Sequence, residues 1–278
     1  MSMTTSSSEM MITSTTDSSS SSTEVPDPYE ETTTTTSSSS IEAPDPYEET
    51  TSTTTTSSSS SSTAASTTTG NAPYSGYLRL ASPTPCDFGG PTDTLEDDSY
   101  CELELPFDVT LYSTSSNRIF PGTNGHISLE RGSTQFLAKR FPYPGTVFPD
   151  AVIAPFFDDL FAYGNETTQQ WIFYEIEGTK VTFEYYVARA AQRESIYHFT
   201  VAYNSAAPNA FTFTYYSVGT MGQADTGMNG AVAFVGIQGL DGQGQKQAAE
   251  YSWRQTIVEP GLTVVCNGAL NSCIGALP

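Results

Sequence analysis

From residue 100 onward the apolar residues of this chain recur at every second position, in one segment after another. In CELELPFDVTLY, Leu103, Leu105, Phe107, Val109 and Leu111 alternate with Glu102, Glu104, Pro106, Asp108 and Thr110. A period of two puts one set on a single face of an extended strand and the other set in water. IYHFTVAY repeats the design with Tyr197, Phe199, Val201 and Tyr203. FTFTYYSV does so with Phe211, Phe213 and Tyr215, leaving Thr212 and Thr214 facing out. AVAFVGIQG is apolar on both faces and predicts a central strand, while WIFYEI and VTFEYYV flank Glu177-Gly178-Thr179-Lys180 as a hairpin. Pro106 has no amide hydrogen to donate, which places its strand at an edge or a bulge. With AVIAPFF, YSW and LTVVC the chain predicts about nine or ten short strands, and no segment shows capped 3.6-residue periodicity. The expected fold is all-β, an antiparallel β-sandwich, with a closed barrel as the competing architecture.

The first 70 residues cannot join that core. Forty-three of them are Ser or Thr, and their only aromatics are Tyr29 and Tyr47. Such a segment buries too little apolar surface to offset the entropy of ordering its backbone. The chain therefore divides into a disordered tail over 1–70 and a β-sandwich domain over 71–278. Within the tail, EVPDPYEETTTTTSSSS is followed by EAPDPYEETTSTTTTSSSS, two PDPYEE blocks between hydroxyl-rich runs. Ser/Thr tracts with interspersed Pro read as an O-glycosylated, mucin-like stalk; an unmodified or phosphorylated linker is the alternative.

The formal net charge is −21, with ten acids and no base in the tail. Without a Lys/Arg cluster the chain lacks the electrostatic footprint of a nucleic-acid binder or of an anionic-membrane binder. No run approaches the roughly 20 apolar residues that span a bilayer. The first twenty residues show neither a basic n-region nor an apolar h-region, so export by the usual route implies an N-terminus upstream of Met1. The ending NGALNSCIGALP is too short and polar for a lipid-anchor signal.

Export is nevertheless the reading that the cysteines and sugars favour. Four cysteines stand at the two ends of the foldable part, and the expected disulfides are the local pairs, Cys86 with Cys101 and Cys266 with Cys273. Four cysteines allow three connectivities, and four reduced thiols in a cytosolic protein are the alternative. Asn165-Glu166-Thr167 is an N-glycosylation acceptor in a predicted loop, marking Asn165. Stalk, paired cysteines and acceptor together point to a secreted protein.

The succession ELPFDVTLY, TNGHISL, VIAPFFDDL, WIFYEIEG…VTFEYYV and AFVGIQG resembles extracellular β-sandwich domains of the nidogen-like kind, over roughly residues 100–240. Phe157 stands where such domains commonly carry Trp. The resemblance implies a module of adhesive or matrix proteins without catalysis. Joined to a Ser/Thr stalk, it is similar to fungal cell-wall and spore-surface proteins, whose partners are wall glycans or other surface proteins.

One stretch raises the question of chemistry. IAPFFDDLFAYGNETT sets Asp158 and Asp159 after an apolar run. Hard oxygen ligands suit calcium, and Asp158, Asp159 and Asn165 form the candidate set, as in calcium-dependent lectins that grip sugar hydroxyls. Catalysis on a glycoside needs two carboxylates flanking one bond, whereas neighbours on a strand point to opposite faces. No G-x-S-x-G, HExxH or phosphate loop is present, and no catalytic residue is assigned. The remaining role is structural, a strand-end turn whose carboxylates accept loop amides. The expectation is that turn, no obligate cofactor, and calcium as the alternative. Of the tyrosine doublets 185/186 and 215/216, one ring each is expected to face outward, against a loop or a ligand. His198 is expected on an outer face, solvated.

Overall fold

A computed structural model of the chain describes residues 77–90, 95–143, 145–164, 169–189, 192–219 and 226–278. The Ser/Thr stalk expected over 1–70 and the acceptor Asn165 lie outside them. The described residues form fifteen strands and no α-helix. The larger sheet contains β1 (Thr84–Pro85), β2 (Leu95–Glu96), β7 (Leu160–Tyr163), β8 (Trp171–Glu177), β9 (Lys180–Arg189), β10 (Gln192–Asn204), β11 (Ala210–Val218), β14 (Thr263–Asn267) and β15 (Ser272–Ala276). Its order is β1-β8-β9-β10-β11-β14-β15, with β7 pairing β9 and β2 pairing β7. The smaller sheet contains β3 (Leu103–Leu111), β4 (Thr114–Gly122), β5 (His126–Leu129), β6 (Val152–Phe157), β12 (Phe234–Leu240) and β13 (Lys246–Trp253), ordered β13-β12-β6-β5-β4-β3. The strand count exceeds nine or ten because the short pieces β1, β2, β7 and β15 pair without an alternating signature.

The alternating residues land where their period puts them. Tyr197, Phe199, Val201 and Tyr203 join Phe211, Phe213 and Tyr215 inside, facing Leu105, Ile127, Ile153, Phe156 and Ile237 of the smaller sheet. β12 is central, and β3 is an edge strand whose register shifts between Glu104 and Val109, around Pro106. Buried tyrosines brace the two layers. Tyr185 Oη donates to the carbonyl of His126, and Tyr215 Oη donates to that of Pro155 at 2.6 Å. Each rod spans the core and satisfies a backbone acceptor on the opposite sheet. Two disulfides, Cys86–Cys101 and Cys266–Cys273, close the ends of the domain.

A second apolar layer lies outside the smaller sheet. The segment 130–151 folds over it and packs Phe141, Tyr143 and Phe148 on Val152, Phe157 and Phe234. Gln238 pins this flap, accepting from Tyr143 N at 2.7 Å and donating to Pro149 O at 2.8 Å. Lys246 Nζ adds a bond to Gly145 O and an ion pair with Asp150. Beneath the flap lies His126, wholly buried and edge-on to both Phe148 and Phe157. Neither ring nitrogen makes a hydrogen bond of good geometry among the described residues, although backbone groups of Asn124 and Ser133 lie near the ring. Burial holds its pKa down at about 4, with backbone groups of Asn124 and Ser133 offsetting that only in part.

Candidate functional site

β6 ends on the aspartate pair, and the turn between β4 and β5 fixes that end in place. Gly125 has φ +68°, and a Cβ there would collide with the carbonyl of Phe156, so only glycine lets the turn approach β6 this closely. Across this contact Phe156 N donates to Gly125 O, and Asp158 N donates to Asn124 O. The Asn124 side chain bridges two further segments. Its Oδ1 accepts from Leu160 N at 3.0 Å, and its Nδ2 donates to Asp98 Oδ1 at 2.8 Å.

This arrangement separates the two aspartates. Asp158 is almost fully buried, and Arg189 Nε donates to its Oδ2 at 2.9 Å. Its Oδ1 accepts the amide of Asp159 at 2.9 Å. Arg189 also donates to Thr226 Oγ1, so the ion pair ties the ends of β6 and β9 to the segment beyond residue 225. Asp158 thus does the work of a strand-end brace, with both oxygens engaged. Asp159 turns the other way, toward Asp97 and Asp98, and one carboxylate oxygen of each lies within 4.8 Å of the others. Burial, then Asp158 and Asp98, push the Asp159 pKa up, and Arg189 opposes them. Burial, then Asp98 and Asp159, push that of Asp97 up. Three converging carboxylates, with burial and mutual repulsion raising the pKa of Asp97 and Asp159, are a locus where a hard cation would relieve repulsion. No local sequence pattern marks Asp97 and Asp98, because only the fold brings the segment 95–101 to the end of β6.

A second polar cluster lies on the outer face of the larger sheet. Residues 77–82 form a strap on that face, and two carboxylates hold its last four amides. Glu184 on β9 accepts from Arg79 N at 2.7 Å and Leu80 N at 3.0 Å; Glu175 on β8 accepts from Ala81 N and from Ser82 N at 2.7 Å. Glu184 also meets His198 Nε2 at 2.6 Å. His198 does lie on the outer face, but it is not solvated: it is 6% exposed. Tyr186 and Tyr216 flank its ring and Glu184 takes its Nε2, a setting no local pattern announces. The outward rings of both tyrosine doublets meet the same strap. Tyr186 stacks on Tyr77 at 5.9 Å, and the Arg79 guanidinium sits 4.7 Å above Tyr216.

Strand order, strap and disulfide-closed ends define an all-β domain of two antiparallel sheets. The family described as NIDO related matches residues 77–263, from the start of the strap to the first residue of β14, and the chain belongs to that family. No curated protein and no solved structure matches the chain. Family and disulfides fit an extracellular protein. Among the described residues, no helix is long and apolar enough to cross a membrane.

Proposed function

We propose that this chain is a non-catalytic module of a secreted surface or cell-wall glycoprotein of the fungal kind, acting in adhesion or matrix structure. One observation carries the reading: the buried carboxylates are committed to architecture. Glu184 holds strap amides and His198, and Asp158 holds Arg189 and its own turn. Acid–base catalysis needs a carboxyl group facing a substrate, within hydrogen-bond reach of the proton it moves. These two are spent on holding the fold, as suits a scaffold that presents surfaces. The partners are wall glycans or other surface proteins. The test is binding of the purified chain to intact walls and to a glycan array, beside an assay for polysaccharide turnover. Binding without turnover supports the proposal; turnover lost on replacing one acid overturns it.

A second reading, calcium-dependent carbohydrate binding, is favoured by the convergence of Asp97, Asp98 and Asp159. The expected ligand set is thereby shifted, with Asp159 retained and Asp158 held by Arg189. Millimolar calcium should raise the melting temperature, a chelator should reverse the rise, and sugar binding should follow the cation. If neither cation nor sugar moves the melting temperature, this reading fails.

A further inference from the structure

The smaller sheet protects both of its open edges. β3 carries Glu104, Pro106, Asp108 and a register shift, and β13 carries Lys246 together with Glu250, which Arg140 bridges. Charges, proline and bulges are the devices that stop a sheet edge from templating another strand. β15, at the end of the larger sheet, has none of them. Residues 260–278 contain no charged side chain, in a chain of net charge −21. Among the described residues β15 pairs with β14 alone. Its inner side packs on β13, where Gly275 leaves room for the Tyr251 ring. Its outer side is bare: Ile274 is 70% exposed and its cross-strand neighbour Val265 is 45% exposed.

The register shows which backbone groups reach the open edge. Cys266 and Cys273 lie opposite each other with Cα atoms 4.0 Å apart, the short spacing of a pair that exchanges no backbone hydrogen bonds. Alternation then makes Val265 and Ile274 the bonded pair, and Val264 and Gly275 the next unbonded one. Cys273 and Gly275 therefore direct their N–H and C=O groups away from β14. These two donors and two acceptors, one residue apart, are complementary to themselves when turned end for end.

We propose that β15 is a homodimerisation edge, pairing antiparallel with β15 of a second copy about a two-fold axis through Ile274. Cys273 of each chain lies opposite Gly275 of the other, and the two residues exchange N–H···O=C bonds, four in all. Ile274 meets its own counterpart as the unbonded pair at the centre, where side chains approach closest. A C2 contact requires this self-complementarity. Charge selects the occupant. Two copies of so acidic a chain repel over most of their surfaces, and the uncharged hairpin is where they approach without bringing carboxylates together.

The test is the mass of the full, oxidised chain by sedimentation and light scattering, from about 1 μM to about 1 mM, since a single short edge is a small interface. A concentration-dependent doubling of mass is expected. Ile274→Lys and Ile274→Glu, at a position too exposed to affect folding, should each weaken association at least tenfold. An equimolar mixture of the two variants should restore the dimer, because only a two-fold contact sets Lys opposite Glu. Amide exchange at Cys273 and Gly275 should slow with rising concentration in the parent chain. A monomer at every concentration, an Ile274→Lys variant that dimerises like the parent, a mixture that stays monomeric, or association without protection of those amides would each overturn the proposal.

Discussion

Lowering the pH from 7 to 4 is expected to loosen this protein through one side chain. His126 is buried among aromatic rings without a well-formed hydrogen bond to either nitrogen, and burial holds its pKa at about 4 against an ordinary 6.5. Above pH 6.5 folded and unfolded states are both neutral here, and the group contributes no pH dependence. Between 6.5 and about 4 the unfolded chain takes up a proton that the folded chain refuses, so stability falls as the pH falls. At about 1.4 kcal/mol per pH unit the loss reaches roughly 3 kcal/mol. That corresponds to about 6–12 °C in melting temperature for a domain of this size. His126→Leu removes the proton site and two poorly satisfied polar atoms, so at pH 7.5 its stability should lie within about 1.5 kcal/mol of the parent. Urea unfolding of both proteins at half-unit steps isolates the effect, since the carboxylates titrate alike in each. Parallel curves between pH 7 and 4 would show that His126 is not the group responsible.

Other perturbations test the remaining sites. Asp159→Asn removes a carboxylate whose pKa burial and neighbouring acids raise; its charge therefore costs stability at neutral pH, and the variant should melt higher at pH 7 and lose any response to calcium. Glu184→Ala strands two strap amides and His198 in a buried site, and should cost about 3 kcal/mol or more in denaturant titration. In the same variant limited proteolysis should cut at Arg79 much faster than in the parent. Gly125→Ala forces a Cβ into the Phe156 carbonyl at positive φ, and soluble expression should fall sharply. Replacing Cys86 and Cys101 together by Ser should lower stability by about 3 kcal/mol, read as a shifted urea midpoint.

How much of this was legible in the sequence depends on the range over which each signal acts. The faces of β10 and β11 follow from alternation alone, because a strand's side-chain period is fixed by its backbone. That Pro106 sits beside a register shift on an edge follows from its missing donor. The strap was invisible for the opposite reason. Its residues 79–82 are anchored by main-chain amides, which every residue possesses, to Glu175 and Glu184 about a hundred positions later. The Asp97–Asp98–Asp159 cluster likewise depends on Asn124, whose side chain reaches both the 86–101 loop and the start of β7. The adjacent pair Asp158 and Asp159 could be noticed in sequence. Their opposite fates could not, because Arg189 reaches Asp158 from the far end of β9.

The strap has a mechanical consequence. Traction arriving along the polypeptide from before Tyr77 meets four successive amides gripped by two carboxylates on neighbouring strands. Those grips share the strain, and slack released by their failure runs only as far as Cys86, where a covalent link to Cys101 halts it. A tug on the leader is thus absorbed at the rim, and the hydrophobic interior stays shut.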